Sequence, residues 1–265
     1  MLDLPRGPAP DRRRLRLENA NRRGIDAALD SIGDTIRSRM FARTVIRTSF
    51  EAGKVRTLMA STNDDERLSD QWYDLKSSLM EKSLGPEHDV VMHAIIPYAI
   101  GGGLDLYYFP NGLSGTAIAT KELSEDLDEC SRNDVYDRYE LVMFTRHALD
   151  LDSVHDASTA FGRAHGSINA ILNCMAPYSA QATLNPRETC EFPANMEKLG
   201  GRCLVFADYA RHKLHDGDTF GLLALVEIFR SEMEYARENG GEQLLQLLKQ
   251  NGHYPFSDLD RVAVA

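Results

Sequence analysis

Histidine and aspartate residues cluster in the C-terminal part of the chain, where they could hold a metal ion. His212 and His215 are three residues apart and are followed by Asp216 and Asp218, and both side-chain types bind metals in proteins. Two residues three apart on a strand, however, point to opposite faces of the sheet. Asp-Gly at 216 and 217 is also typical of a hairpin turn. The sequence therefore predicts a turn here, with no metal and no cofactor.

Other residues that could do chemistry have structural explanations as well. Three glycines at 101–103 could cradle a phosphate only in front of a helix, and the pattern that follows them is that of a strand. The acidic residues at 125–129 lie in a polar segment typical of a solvated surface. The sequence thus predicts no catalytic residues. A small metal-dependent or hydrolytic enzyme, with a site assembled from distant positions, stays open as the alternative.

Charge is unevenly distributed along the 265 residues. Residues 1–60 carry 13 Lys and Arg against 7 Asp and Glu, whereas residues 61–265 carry 17 against 33, a balance of -16. Phosphates would be repelled by such a segment, so nucleic-acid binding is not expected for residues 61–265. A basic protein partner is the better match, and ordinary acidic solubility is the other explanation.

Membrane and compartment signals are simple. No apolar run reaches the roughly 18 residues that a membrane helix needs, so no membrane association is expected. The four cysteines are far apart in the sequence and show no metal-pair spacing. Both features are typical of a reduced, cytoplasmic protein.

Residues 1–60 are expected to form a basic N-terminal extension that begins disordered and continues as a helix. Residues 1–23 are rich in Arg and Pro and have no apolar stripe. Beyond them, apolar side chains recur at spacings of three and four: Ile25, Leu29, Ile32, Ile36 and Met40. This helix could contact nucleic acid or an acidic lipid surface, or pack on the acidic body of the chain itself. The second is favoured, because the stripe is an adequate packing face.

Residues 61–265 alternate between strand-like and helix-like segments. Strands are predicted over 90–96, 104–109, 115–120, 139–145, 189–192, 202–214 and 220–229, and helices over 63–85, 154–175, 231–239 and 241–251. Short turns between the strands favour antiparallel pairing. The order of the elements predicts an α+β fold with a largely antiparallel sheet and packed helices.

Three local signals are specific enough to be checked residue by residue. Apolar side chains at Leu68, Trp72, Leu75 and Leu79 predict the buried stripe of the first of these helices. Ser231 and Glu234 have the spacing of a capping box. The nearly all-apolar run at 220–229 predicts a strand buried on both faces.

The order of several strand residues resembles a known family. Between His88 and His147, the runs GGGLDLYYFPNGLSGTAIATKELSE and YELVMFTRH place an acidic residue, a turn-ending proline, a Thr, a Ser and a Glu-Leu pair in series: Asp105, Pro110, Thr120, Ser124, Glu140 and Leu141. The C-terminal run FRSEMEYARENGGEQLLQLLKQNGHYPFSDLDR resembles the ending of bacterial members. Together they make residues 61–265 similar to the suppressor-of-fused domain. Residues 1–60 lie outside the resemblance.

The resemblance implies an α+β domain that binds proteins and has no catalytic centre. The animal member of the family sequesters a transcription factor, and bacterial members are thought to be immunity proteins that neutralise secreted toxins. Toxins that attack nucleic acid tend to be basic, which an acidic body would suit. Six residues are the candidates for contact with a protein partner: Asp105, Tyr107, Tyr254, Asp258, Asp260 and Arg261. For Asp260 and Arg261 the alternative is that they tie the tail to the domain.

Overall fold

The computed structural model describes residues 55–125 and 130–265, with side chains from residue 67 onward. The predicted disordered segment at 1–23, the helix over 25–40 and the acidic residues at 126–129 lie outside these ranges. The boundary proposed between residues 60 and 61 stays a prediction.

Four α-helices and seven strands are present in the described ranges. In chain order they are α1 Val55–Leu84, β1 Val91–Met92, β2 Leu106–Phe109, β3 Thr116–Ala119, β4 Arg138–Thr145, α2 Ala160–Ser179, β5 Thr189–Glu191, β6 Cys203–Lys213, β7 Thr219–Ile228, α3 Arg230–Asn239 and α4 Gly241–Gln250. Two short 3-10 helices cover Tyr98–Ile100 and Leu151–Ser153. No helix in the described ranges is both long enough and apolar enough to cross a membrane.

The seven strands form one sheet in the order β1-β2-β3-β4-β7-β6-β5. Every neighbouring pair is antiparallel except β4 and β7, which run parallel. A parallel pair needs a crossover connection, and here the crossover contains α2, β5 and β6. The predicted α+β fold with a largely antiparallel sheet is confirmed.

The core lies on both faces of this sheet. Alternate residues of β2 point to opposite faces, and both sets are buried, because α2 covers one face while α1, α3 and α4 cover the other. All ten residues of β7 are buried, as the apolar run predicted. A strand at the centre of a sheet covered on both sides can be apolar throughout.

The predicted buried stripe of α1 is only partly correct: Trp72 and Leu79 are half-buried and pack against the core, but the other two residues do not. Leu68 and Leu75 are 59% and 39% exposed, and the buried positions instead recur every four residues, at Lys76, Met80 and Leu84. The apolar pattern predicted one edge of the buried face and missed its centre, because a lysine lies there. The helix already covers Val55, so the predicted start at residue 63 is also wrong.

Two other boundaries differ from the prediction. The strand expected over 90–96 is only two residues long, since the chain turns through Tyr98–Ile100 and Gly103 N–H donates to the carbonyl of Ile96. Helix α3 begins at Arg230, and its capping carboxylate is Glu232, which accepts from the backbone N–H of Phe229 at 2.9 Å. The predicted Ser231 and Glu234 capping box is therefore wrong.

The predicted turn between β6 and β7 is confirmed. Leu214 N–H donates to the carbonyl of Asp218 at 2.9 Å, and Gly217 has φ +95°. Asp216 and Asp218 both pair with Arg138, at 3.3 and 2.5 Å. Within the described ranges, no group of three or more His, Cys, Asp or Glu side chains is placed to hold a metal ion.

Candidate functional site

Glu140, on β4, is the centre of a buried polar network. Its carboxylate accepts from the hydroxyls of Thr120 and Ser124 at 2.6 Å each, and from the backbone N–H groups of Leu123 and Ser124 at 3.2 and 3.0 Å. The ammonium group of Lys76 lies 3.4 Å away, and both charged side chains are fully buried. A buried charge is tolerated when it is paired and hydrogen-bonded. The network therefore joins α1, β4 and the segment after β3.

Lys121 occupies a second buried position beside this network. Its ammonium group lies 2.5 Å from Glu87 and 2.9 Å from the hydroxyl of Ser77. It also lies 4.6 and 4.9 Å from the ring centroids of Tyr107 and Tyr73, within the range of a cation–π interaction. Tyr107, which was predicted to contact a partner, is almost fully buried. Its pKa is raised mainly by this burial and, to a lesser degree, by its hydrogen bond with Tyr73.

Asp105 holds the chain segment that precedes the triple glycine. Its carboxylate accepts from the backbone N–H of Ala94 at 2.9 Å and lies 2.7 Å from Nδ1 of His93. Its own N–H donates to Glu122 at 2.6 Å. The predicted partner residue Asp105 therefore faces residues 93 and 94 and fixes their position.

The segment Val90–Ile100, called the apolar loop below, exposes large aliphatic side chains. Ile95 is fully exposed, Ile96 and Ile100 are each 56% exposed, and Val90 is 45% exposed. Single exposed aliphatic residues are ordinary, but a contiguous group of them marks an interaction surface. Because a strand was predicted over 90–96, the exposure of these side chains was not expected from the sequence. Pro97 and the glycines that follow are the signals of a turn that could have revealed it.

Glu122 lies half-buried between this loop and the Glu140 network. Burial, and then the negative charge of Glu140, raise its pKa to about 7, although the N–H groups of Asp105 and Lys121 act in the opposite direction. A carboxylate with a pKa near 7 exchanges its proton close to neutral pH. The surface beside the apolar loop therefore changes charge between mildly acidic and mildly alkaline conditions.

The candidates in the C-terminal tail make internal contacts. Asp258 is buried and accepts from the hydroxyl of Thr145 at 2.6 Å and from the N–H of Arg146 at 2.7 Å. Arg261 donates to both carboxylate oxygens of Glu232, at 2.5 and 2.9 Å. Arg261 thus ties the tail to the domain, the alternative stated above.

The two remaining tail candidates are more accessible. Tyr254 is half-buried, with the ammonium group of Lys249 4.7 Å from its ring centroid. Asp260 is exposed. Their assignment to a partner-binding surface, like that of the other four candidates, stays a prediction.

Comparisons with known proteins agree with this fold. The family model described as Suppressor of fused protein (SUFU) matches residues 106–262. No curated protein sequence matches the chain. A structure described as the Sufu-Fu complex has 16% sequence identity and a TM-score of 0.50, covering 74% of this chain and 91% of that one. At this identity the similarity is one of fold.

Two further structures are similar. The crystal structure of Drosophila Suppressor of Fused has 17% identity and a TM-score of 0.49, covering 72% of this chain and 50% of that one. A putative SUFU homolog from Neisseria gonorrhoeae has 10% identity and a TM-score of 0.45, covering 71% and 93%.

Proposed function

This chain belongs to the suppressor of fused family, and on that premise we propose that it is a non-catalytic module that binds a basic protein partner. The similar structure described above is itself a complex, of Sufu with Fu. The observation that carries the proposal for this chain is the apolar loop.

The apolar loop is held in place before any partner arrives. Asp105 fixes its first half through Ala94 and His93. Its second half is closed by the bond from Gly103 N–H to the carbonyl of Ile96 at 3.0 Å, and the N–H of Leu104 donates to the amide oxygen of Asn173 on α2. A surface that is already ordered loses little conformational entropy when it binds. The exposed isoleucines are therefore suited to act as anchors.

The charge around the apolar loop favours a basic partner. Asp89 precedes the loop, Asp105 contacts it, and Glu122, which becomes negative as pH rises through about 7, accepts from the N–H of Asp105. Two lysines of the adjoining network, Lys76 and Lys121, are buried and paired with other carboxylates. The partner surface that complements this arrangement carries an apolar side chain surrounded by Lys or Arg.

In its most specific form the proposal is an immunity protein that neutralises a basic secreted toxin. Two features support it: the resemblance of the C-terminal run to bacterial family members, and the balance of -16 over residues 61–265. Electrostatic steering by such a charge speeds the association of oppositely charged proteins and weakens as salt rises.

A pull-down from the native organism tests the proposal. The full chain is used as bait at about 50 and 500 mM salt, spanning Debye lengths from well above to well below 10 Å, and the captured proteins are identified. We expect a basic partner that is recovered better at low salt. The double variant Ile95→Asp/Ile96→Asp should lose it, whereas Val262→Asp, which changes an aliphatic residue 84% exposed on the tail, should retain it.

Three outcomes would contradict the proposal. Loss of the partner with Val262→Asp but not with the loop variant would place binding on the tail. Light scattering could instead show a dimer of the chain that the loop variant abolishes and Val262→Asp does not. The apolar loop would then bind a second copy of the chain and not a basic partner. Recovery of no protein, together with a stoichiometric bound metal and hydrolytic activity lost on chelation, would favour the enzyme alternative.

A further inference from the structure

A polar pocket lies on the β5 and β6 side of the sheet, away from the apolar loop. It has a volume of about 300 Å³, and its polar wall residues are Asp134, Asn185, Arg187, Asp208 and Arg211. It is a shallow concavity that is open to solvent on one side. Three unusual local features meet at this pocket, and none of them belongs to the surface described above.

The first feature is the backbone of Arg187. Its φ is +74°, and it is the only non-glycine residue with a positive φ in the described ranges. Its N–H donates to the carbonyl of Phe206 at 2.7 Å, and its carbonyl packs so closely on Gly241 that a Cβ there would lie 1.9 Å away. Surrounding contacts thus hold Arg187 in a conformation that favours glycine. Residues held in this way concentrate at functional sites.

The second feature is a β-bulge in β6. The register between β6 and β7 shifts between Asp208 and Ala210. Two residues three apart on a regular strand point to opposite faces. The extra residue in the bulge brings Asp208 and Arg211 to the same side, where their charged groups pair.

The third feature is a hydrogen bond from Tyr136 that fixes the carboxylate of Asp208. The hydroxyl of Tyr136 donates to it at 2.5 Å, and the guanidinium of Arg211 lies 5.8 Å from the centroid of the Tyr136 ring. The ring is accommodated because Gly221 has no side chain: a Cβ there would lie 2.3 Å from it. Asp208 and Arg211 are therefore held as one preorganised wall of the pocket.

The other two charged residues that line the pocket are Arg187 and Asp134, one of each charge. Arg187 donates through Nε to Glu242 at 2.7 Å, in a pair whose side chains are 67% and 43% exposed. Exposed pairs of this kind are weak, so an incoming carboxylate can replace that of Glu242. Asp134 is exposed and is positioned by the amide of Asn185 at 2.9 Å. The pocket thus presents a replaceable guanidinium contact and a fixed carboxylate.

We propose that this polar pocket binds a small zwitterionic ligand, a free amino acid or a dipeptide, with its carboxylate on Arg187 and its ammonium group on Asp134. Two arginines and two aspartates line the pocket, and Asp208 and Arg211 already pair with each other, so a ligand that carries both charges matches Arg187 and Asp134. A phosphate dianion does not, because Asp134 and Asp208 would repel it. The proposal is independent of the partner surface, since the pocket and the apolar loop lie towards opposite edges of the sheet.

An NMR titration of the ¹⁵N-labelled full chain tests this. The probes are L-alanine for the free amino acid, L-alanyl-L-alanine for the dipeptide, and acetate and inorganic phosphate as carboxylate-only and phosphate controls. We expect saturable shifts of the amides of Asn185, Arg187 and Asp208 with at least one zwitterion. Acetate and phosphate should bind at least about tenfold more weakly, the effect of losing one charged contact.

The variant Arg187→Gly separates binding from folding. Glycine adopts a positive φ without strain, so the melting temperature should be unchanged or higher, while affinity for the zwitterion falls about tenfold or more. Arg163→Gln, an exposed arginine of α2 outside the pocket, should change neither. Absence of saturable shifts, equal affinity in Arg187→Gly, or phosphate binding as tightly as the zwitterions would each overturn the assignment.

Discussion

At the β5 edge of the sheet, the carboxylate of Glu191 pairs with Arg230 and Arg237 of α3, whereas at the β1 edge the chain runs directly into the apolar loop. Free sheet edges attract other chains, and folded proteins usually block them with charges or with another element. The β5 edge is blocked in both ways. In the part of the chain that the structure describes, the β1 strand is only two residues long, and the loop that contains it exposes three isoleucines. This difference makes the β1 edge the better place for a protein partner.

The two edges also differ in what lies behind them. Behind β1 and β2 is the buried network of Glu140, Lys76 and Lys121, which fixes α1 and the segment after β3. The β5 side instead has accessible ion pairs and a polar pocket. The buried network holds the apolar loop in a fixed position, which suits the binding of a protein. The polar pocket is small and concave, which suits the binding of a small ligand. The changes below test this contrast from the largest expected effect to the smallest.

Removing Glu140 should have the largest effect. In Glu140→Ala the ammonium group of Lys76 loses its paired charge and keeps only the carbonyl of Lys121, and two hydroxyls lose their acceptor. Breaking a buried pair in this way costs about 3–5 kcal/mol of unfolding free energy, measurable by urea denaturation. The matched change at the other edge, Glu191→Ala, breaks accessible pairs and should leave stability nearly unchanged. Equal losses in the two variants would contradict the contrast between the edges.

Glu122 should make the β1 side sensitive to pH. Its pKa of about 7 in the folded state is above the ordinary value of 4.5, so the folded state favours the protonated form. The stability this contributes is fully present below pH 4.5 and is lost as pH rises through 7. We expect the wild type to lose about 1–3 kcal/mol between pH 5 and 8.

Glu122→Gln is the control for this titration, because it cannot ionise. The difference in unfolding free energy between wild type and Glu122→Gln should change across pH 5–8 in favour of the variant. A constant difference would show that Glu122 titrates at its ordinary pKa and that the β1 surface keeps a fixed charge.

The smallest effect is expected at the β6–β7 turn, which belongs to neither edge. Gly217→Val should cost about 1 kcal/mol, because a β-branched residue resists a positive φ, while a Cβ at this position meets no atom within 4 Å. Thermal unfolding measures the loss. An unchanged melting temperature would contradict the turn geometry. If Gly217→Val altered the binding of the partner or of the zwitterion, the turn would not be independent of the apolar loop and the polar pocket.

Local patterns predicted the parts of the fold that depend on neighbouring residues. The apolar run of β7 and the Asp-Gly turn before it were both correct, because period and turn chemistry are local properties. The centre of the buried face of α1 was not predicted, because the partner of Lys76 is Glu140, 64 residues away. Nothing in the pattern of α1 shows that a lysine there will be neutralised.

The candidate surfaces follow the same rule. Asp105 was selected and does contact the apolar loop, yet Ile95 and Ile96, two of its exposed isoleucines, were assigned to a strand. Arg261 was selected for its charge, and its partner Glu232 is 29 residues away. The polar pocket joins a loop before β4, a loop before β5 and a bulge in β6, and no spacing in the sequence brings these three together.

Hydrogen–deuterium exchange on the chain with and without its captured partner tests the central claim most directly, because backbone protection reports which segments a partner covers. Our account predicts that binding slows exchange in residues 90–104, the apolar loop and the glycines that close it, and leaves residues 185–211 unchanged. Protection confined to residues 185–211 or to the tail at 252–261, with no change in the apolar loop, would contradict it.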